Sequence, residues 1–274
     1  SWAYPAHQFD LTDIHRPYID LGAAMTALDL AETRALVGSA LDPALAKRIQ
    51  DELERRLFTP YLTRHDHWWL YQDAGRAANW SAVCNAGVVG AAILSLDDPA
   101  RLADIIARGA HSLDGYLDSF DADGGCSEGP GYWEYGFGYY TILADLIDWR
   151  TGGVVDLLAG ERMSKIASYP LRTLLSGDNC VNFSDCGATV RYSRSQLAYL
   201  AQRLDIPALA GLALQQPPFL RRSNLAYALR ELFWTVPANA EPGVRLSRHD
   251  WFSGMMWLVA RLDPANPEAL VLAA

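Results

Sequence analysis

The chain has 274 residues, half of them apolar, with 32 acidic against 23 basic side chains and a net charge of -9. That length and apolar content support a sizeable core in one large domain or two ordinary ones, and they exclude a disordered chain. No Lys/Arg cluster offers a nucleic-acid surface, and no apolar run reaches the length of a membrane span.

Residues 1–27, with Trp2, Tyr4, Pro5, Pro17 and Tyr18, read as an irregular aromatic arm. Residues 28–41 are apolar at helical spacing, and Asp42-Pro43 then supplies a cap and a first-turn proline for a second helix over 44–58. The outer side of that hairpin carries Lys47, Arg48, Asp51, Glu52, Glu54, Arg55 and Arg56, a solvated face. Residues 61–79 form a loop holding Arg64, His65, Asp66, His67, Trp68, Trp69, Tyr71 and Arg76. A helix over 80–96 follows, with Ala82, Ala86, Gly87 and Gly90 permitting close packing. Asp98-Pro99 opens the next, to about residue 120.

After a glycine-rich stretch a helix runs to Trp149, and further helical segments are predicted over about 154–158, 161–175, 193–204, 206–215 and 223–235. Residues 179–185 and 188–192 read as short strands or extended loops, with Gly187 as the turn. Beyond Pro237 the pattern becomes strand-like over 244–248 and 251–262, with Ser253-Gly254 as a turn. The predicted fold is mainly α: an incomplete α/α toroid of antiparallel helical hairpins over 1–240, and the start of an antiparallel β module over 241–274. An unpaired apolar strand edge there would invite association with another chain. Cys84, Cys126, Cys180 and Cys186 show neither zinc-ligand nor disulfide-framework spacing. Cys180 and Cys186 can approach across a turn, but free buried thiols are the expectation. Ser1-Trp2-Ala3 lacks a charged or apolar leader region and reads as a processed or trimmed start.

Two stretches carry chemistry. Residues 123–140 read DGGCSEGPGYWEYGFGYY: loop residues run through Glu128 into Gly129-Pro130-Gly131, and a helix then opens with Tyr132, Trp133, Glu134 and Tyr135. Tyr132, Tyr135 and Tyr139 share one helix face. A core aromatic stripe accounts for the phenols alone; glycines crowded around one acid at a helix start point instead to a reacting group. The second stretch is NWSAVCNAG from Asn79, where a loop enters a helix and the Asn side chain either caps it or points an amide into a cavity.

Together, NWSAVCNAG and DGGCSEGPGYWEYG resemble the paired signatures of the heparinase II/III-like polysaccharide lyases, a group that includes alginate and glycosaminoglycan lyases. The early helical hairpin, the Trp68-Trp69 loop and the NFSDCG segment also look like that group's helical domain, so the resemblance covers nearly the whole chain. It implies an α/α toroid followed by an antiparallel β-sandwich domain, and β-elimination on a uronate-containing poly- or oligosaccharide. A proton leaves C5, the glycosidic oxygen leaves C4, and neutral donors must first compensate the uronate carboxylate.

Position by position, Tyr132 matches the family's catalytic tyrosine and Asn79 the asparagine that binds the carboxylate. Several members have a histidine where this chain has Trp80. Asn85, Arg76 and His67 are therefore the candidates for a second donor, in that order. Glu128 reads as an anchor for the loop, with substrate contact as the lesser alternative. Trp68, Trp69 and Trp133 are candidate sugar-stacking faces, with core packing as the alternative, and Tyr135 shares the Tyr132 face. The family's β domain supplies a catalytic histidine and, in some members, zinc. This chain reaches Ala274 before such a motif, and its late His249 has only Asp250 beside it. The expectation is thus the helical domain of a longer lyase, with no metal or cofactor of its own and any zinc in the missing β domain. A glycoside hydrolase using two of Asp123, Glu128 and Glu134, or a non-catalytic carbohydrate-binding toroid, are the alternatives.

Overall fold

The computed structural model describes residues 17–70, 79–218, 225–266 and 268–274. Arg76, Tyr71 and most of the arm expected over 1–27 lie outside the described residues. The chain is mainly helical with small antiparallel sheets in its C-terminal part. It divides into two compact units, residues 1–118 with 139–157 and residues 119–138 with 158–274.

The first unit begins with α1 (Leu21–Val37), α2 (Pro43–Leu53) and α3 (Thr59–Thr63). It continues with α4 (Asn79–Ser95), α5 (Pro99–Asp118) and the later part of α6 (Pro130–Thr151). The first helix starts seven residues before the expected position 28, because the Asp20 carboxylate accepts the Ala23 N–H at 2.7 Å and the alanine-rich turns that follow are good helix formers. Asp42 caps α2 as expected, accepting from Ala44 N and Leu45 N. One wide turn, Glu54–Phe58, then joins α2 to α3, and Arg101 from α5 pairs with Glu54 there. From Ser81 to Ile93 every residue of α4 is buried, as expected for a helix with neighbours all round. Its glycines make this possible: a methyl group on Gly87 would strike the Ala24 carbonyl, and one on Gly90 would stand 2.9 Å from Leu28 Cδ1.

The second unit contains the first part of α6, α7 (Glu161–Ala167), α8 (Tyr169–Thr173), β1 (Leu174–Ser176) and β2 (Asn179–Cys180). Then come α9 (Arg194–Arg203), α10 (Pro207–Gln215), α11 (Leu225–Phe233), β3 (His249–Phe252), β4 (Trp257–Arg261) and β5 (Val271–Ala273). Three local expectations change. Residues 154–158 are turns rather than helix, set between Gly152, Gly153 and Gly160, all at positive φ. The segment 161–175 breaks at Ser168, where Pro170 removes a helix donor, and ends in β1. Residues 244–248 are not a strand: the Ser247 carbonyl accepts from the Arg261 guanidinium at 2.8 Å instead of a ladder partner.

The β3–β4 hairpin pairs His249 with Ala260 and Phe252 with Trp257, turning through Ser253-Gly254 as predicted, and β5 adds to β4. Arg261, 3% exposed, fixes this sheet to α8 and β1. It meets Asp250 at 2.6 Å and donates to the carbonyls of Leu174 and Arg172, while the Arg172 guanidinium lies 4.1 Å over the Phe252 ring. A buried ion pair with its remaining donors satisfied avoids most of the desolvation cost of burial.

Candidate functional site

The two motifs fall in different units, and each organises its own surroundings. In the second unit the loop before α6 is built by its acids. Gly124 N–H donates to Asp121 O at 2.8 Å, Gly125 N–H to Asp123 Oδ1 at 3.1 Å, and Ser253 N–H and Oγ to Asp123 Oδ2 at 2.6 and 2.9 Å. Burial pushes the Asp123 carboxyl up, but these donors outweigh it and hold it below its ordinary value. Asp123 is thus a structural clamp. Gly124, at φ 84, lies against the Lys165 backbone, and Gly129, at φ 94, faces Cys186. Only glycine supplies both the positive φ and the close approach.

The Tyr132 side chain leaves this turn half-buried, with the Asp185 carboxylate near its hydroxyl. The charge of Asp185 first, then burial, the polar approach of that carboxylate and the charge of Glu128 hold the phenol above its ordinary value near 10. A phenol that acts as a base needs nearby cations to lower it, and the neighbours that shift Tyr132, Asp185 and Glu128, are anions. Tyr132 therefore keeps its proton at neutral pH and is equipped to donate it. Asp185 is the residue that sequence reasoning missed. Its only signal was its place in NFSDCG, whose loop packs on the Gly129–Gly131 turn through Cys186.

Other residues of the motif turn inward. Trp133 is fully buried, donates Nε1–H to Ile166 O at 2.8 Å and packs against Phe137 and Tyr192, so it offers no face to a sugar. Tyr135 is half-buried and Tyr139 is 1% exposed. Glu134 is directed at α9: its Oε1 is sealed without a hydrogen-bond partner, and burial pushes the carboxyl up to about 7 against the opposing effect of the Ser193 N–H. Beside it Gln196, 1% exposed, leaves both amide atoms unpartnered. A protonated Glu134 is the form such a sealed position favours.

In the first unit Asn79 is the first residue of α4 and 5% exposed. Asn85, two turns on, is fully buried. Its Nδ2 donates to Ser81 O at 2.7 Å and Ser112 Oγ at 2.9 Å, and its Oδ1 accepts from Tyr61 OH at 2.5 Å. That amide is occupied in tying α3, α4 and α5 together, so it is a packing residue rather than a spare donor. His67 is 1% exposed with neither ring nitrogen hydrogen-bonded, stacked on Trp69 at 5.2 Å and edge-on to Tyr18 at 4.9 Å. Burial, then the charge of Arg64, depresses it to about 4 and keeps it neutral at pH 7. Trp69 is fully buried, its Nε1–H given to Ile19 O at 2.9 Å, whereas Trp68 is 44% exposed beside Trp80 at 5.0 Å. Of the three tryptophans, Trp68 alone is exposed.

Among the described residues no group of three or more His, Cys, Asp or Glu is placed to hold a metal ion, and no helix is long and apolar enough to cross a membrane. Set against protein-family models and curated proteins, the chain matches none of them.

Proposed function

We propose that this chain is the helical, toroid-type part of a polysaccharide lyase acting on uronate-containing poly- or oligosaccharides by β-elimination. The observation that carries the reading is the Tyr132 hydroxyl at the glycine-bounded start of α6, half-exposed and near the Asp185 carboxylate, whose charge raises the phenol. In the proposed reaction the Asn79 amide compensates the uronate carboxylate, the C5 proton passes to a histidine of the β domain that the resemblance implies, and the C5–H electron pair becomes the C4–C5 double bond. As the C4–O bond breaks, the neutral phenol hands its proton to the departing glycosidic oxygen. Trp68 supplies a stacking face for a sugar ring.

Tyr132→Phe tests this. With a panel of uronans, and the ultraviolet absorbance of the unsaturated product as readout, the variant should bind as before and turn over about 100-fold more slowly, the scale for losing a general acid. Turnover close to that of the parent would remove Tyr132 from the chemistry.

A further inference from the structure

The loop between β2 and α9 carries two thiols that face one acceptor. Cys180 Sγ lies 3.7 Å and Cys186 Sγ 3.3 Å from the Gly187 carbonyl oxygen, so the sulfurs are neighbours although residues 181–185 separate them in the chain. Backbone pairing brings them there. Cys180 N–H donates to Ala188 O at 2.9 Å, Asn179 bridges Thr189, and Cys186 N–H closes a tight turn on Ser184 O at 3.0 Å. Ser184 holds φ 63 within that turn. Neither is in a disulfide in this structure; Cys180 is 2% exposed and Cys186 half-buried.

We propose that Cys180 and Cys186 form a reversible thiol–disulfide site, oxidised by a small-molecule disulfide of the glutathione type into a bond that spans residues 181–185. The more accessible Cys186, as its thiolate, attacks one sulfur of the oxidant; the S–S bond breaks and one small thiol leaves with a proton from water. Cys180 then gives its proton to solvent, attacks Cys186 Sγ and expels the second small thiol. The protein loses two electrons and two protons, and the oxidant becomes two thiols. Burial, with Cys186 alongside, pushes the Cys180 thiol up, so the second attack is the slow one and quickens as pH rises. The bond would clasp the segment that carries Asp185, and the site stands whether or not the chain is a lyase.

Both cysteines fall on one tryptic peptide, residues 173–191. The full chain, reduced and then incubated with oxidised glutathione in mildly alkaline buffer, should yield that peptide lighter by two hydrogens and closed to iodoacetamide until reduced. Cys180→Ser should instead trap a stable glutathione adduct on Cys186. Recovery of the parent peptide with both thiols alkylated, or with glutathione retained on either cysteine, overturns the proposal, as does an unmodified Cys186 in Cys180→Ser. The mass of the parent peptide decides the question even where a variant fails to fold.

Discussion

At the scale of single residues, the decisive pairing is a phenol with a carboxylate. Asp185 raises the Tyr132 phenol above its ordinary value, so the protonated form extends further into alkaline pH than in an isolated tyrosine. If that proton goes to the leaving group, kcat/KM should stay level through neutral pH and fall only where the phenol ionises. In Asp185→Asn the charge is gone and the fall should move to lower pH, with the neutral-pH plateau largely kept. A pH–rate profile checks this, and an unmoved alkaline limb would mean that Asp185 does not govern Tyr132. Asn85 shows the opposite outcome for a polar side chain. Both ends of its amide are bonded inside the first unit, which leaves nothing to offer a ligand.

At the scale of elements, packing of α4 against α1 depends on a missing side chain. A methyl group at Gly87 meets the Ala24 carbonyl carbon at 2.5 Å, a backbone atom that cannot rotate away. Gly87→Ala gains helix propensity but must push α1 aside, and overpacking of this kind costs about 1–3 kcal/mol. Urea unfolding should show a lower midpoint at unchanged slope. A midpoint at or above that of the parent would mean that the two helices have room to part. The caps of α2 and α5 act the other way: Asp42 and Asp98 each accept two backbone N–H groups just before a proline, and these helices start where the residues say they should.

At the scale of the whole molecule, two titratable groups shifted by desolvation give the two units opposite responses to acid. His67, in the first unit, is depressed to about 4 from 6.5. Between those values the unfolded chain binds a proton that the folded one refuses, so the first unit loses stability as pH falls from 6.5 to 4, by up to about 3 kcal/mol. Glu134, in the second unit, is raised to about 7 from 4.5. Its folded form keeps a proton that the unfolded chain has released, so this contribution is complete below 4.5 and is lost as pH rises through 7. Hydrogen exchange read separately in α4 and α9 should slope in opposite directions between pH 4.5 and 6.5. His67→Gln should flatten the first slope and Glu134→Gln the second. Slopes of the same sign in both helices would remove one of the two groups from the account.

What the sequence determined by itself is what short-range chemistry decides. Asp-Pro caps, apolar spacing and Gly-rich turns marked α2, α4, α5 and α6, and the Ser253-Gly254 turn marked the last hairpin, because a cap or a turn is complete within four or five residues. Candidate chemistry could be assigned to Asn79 and Tyr132 from motif alone. The tertiary structure decided everything that needs a partner from elsewhere in the chain. It sent the Ser247 carbonyl to Arg261 instead of a strand partner and placed Asp185 near Tyr132. It also divided the tryptophans, sealing Trp69 and Trp133 in the core and leaving Trp68 exposed. Residue type cannot make that division, since the same indole serves a core or a cleft; only the atoms packed around it set its exposure and its partners.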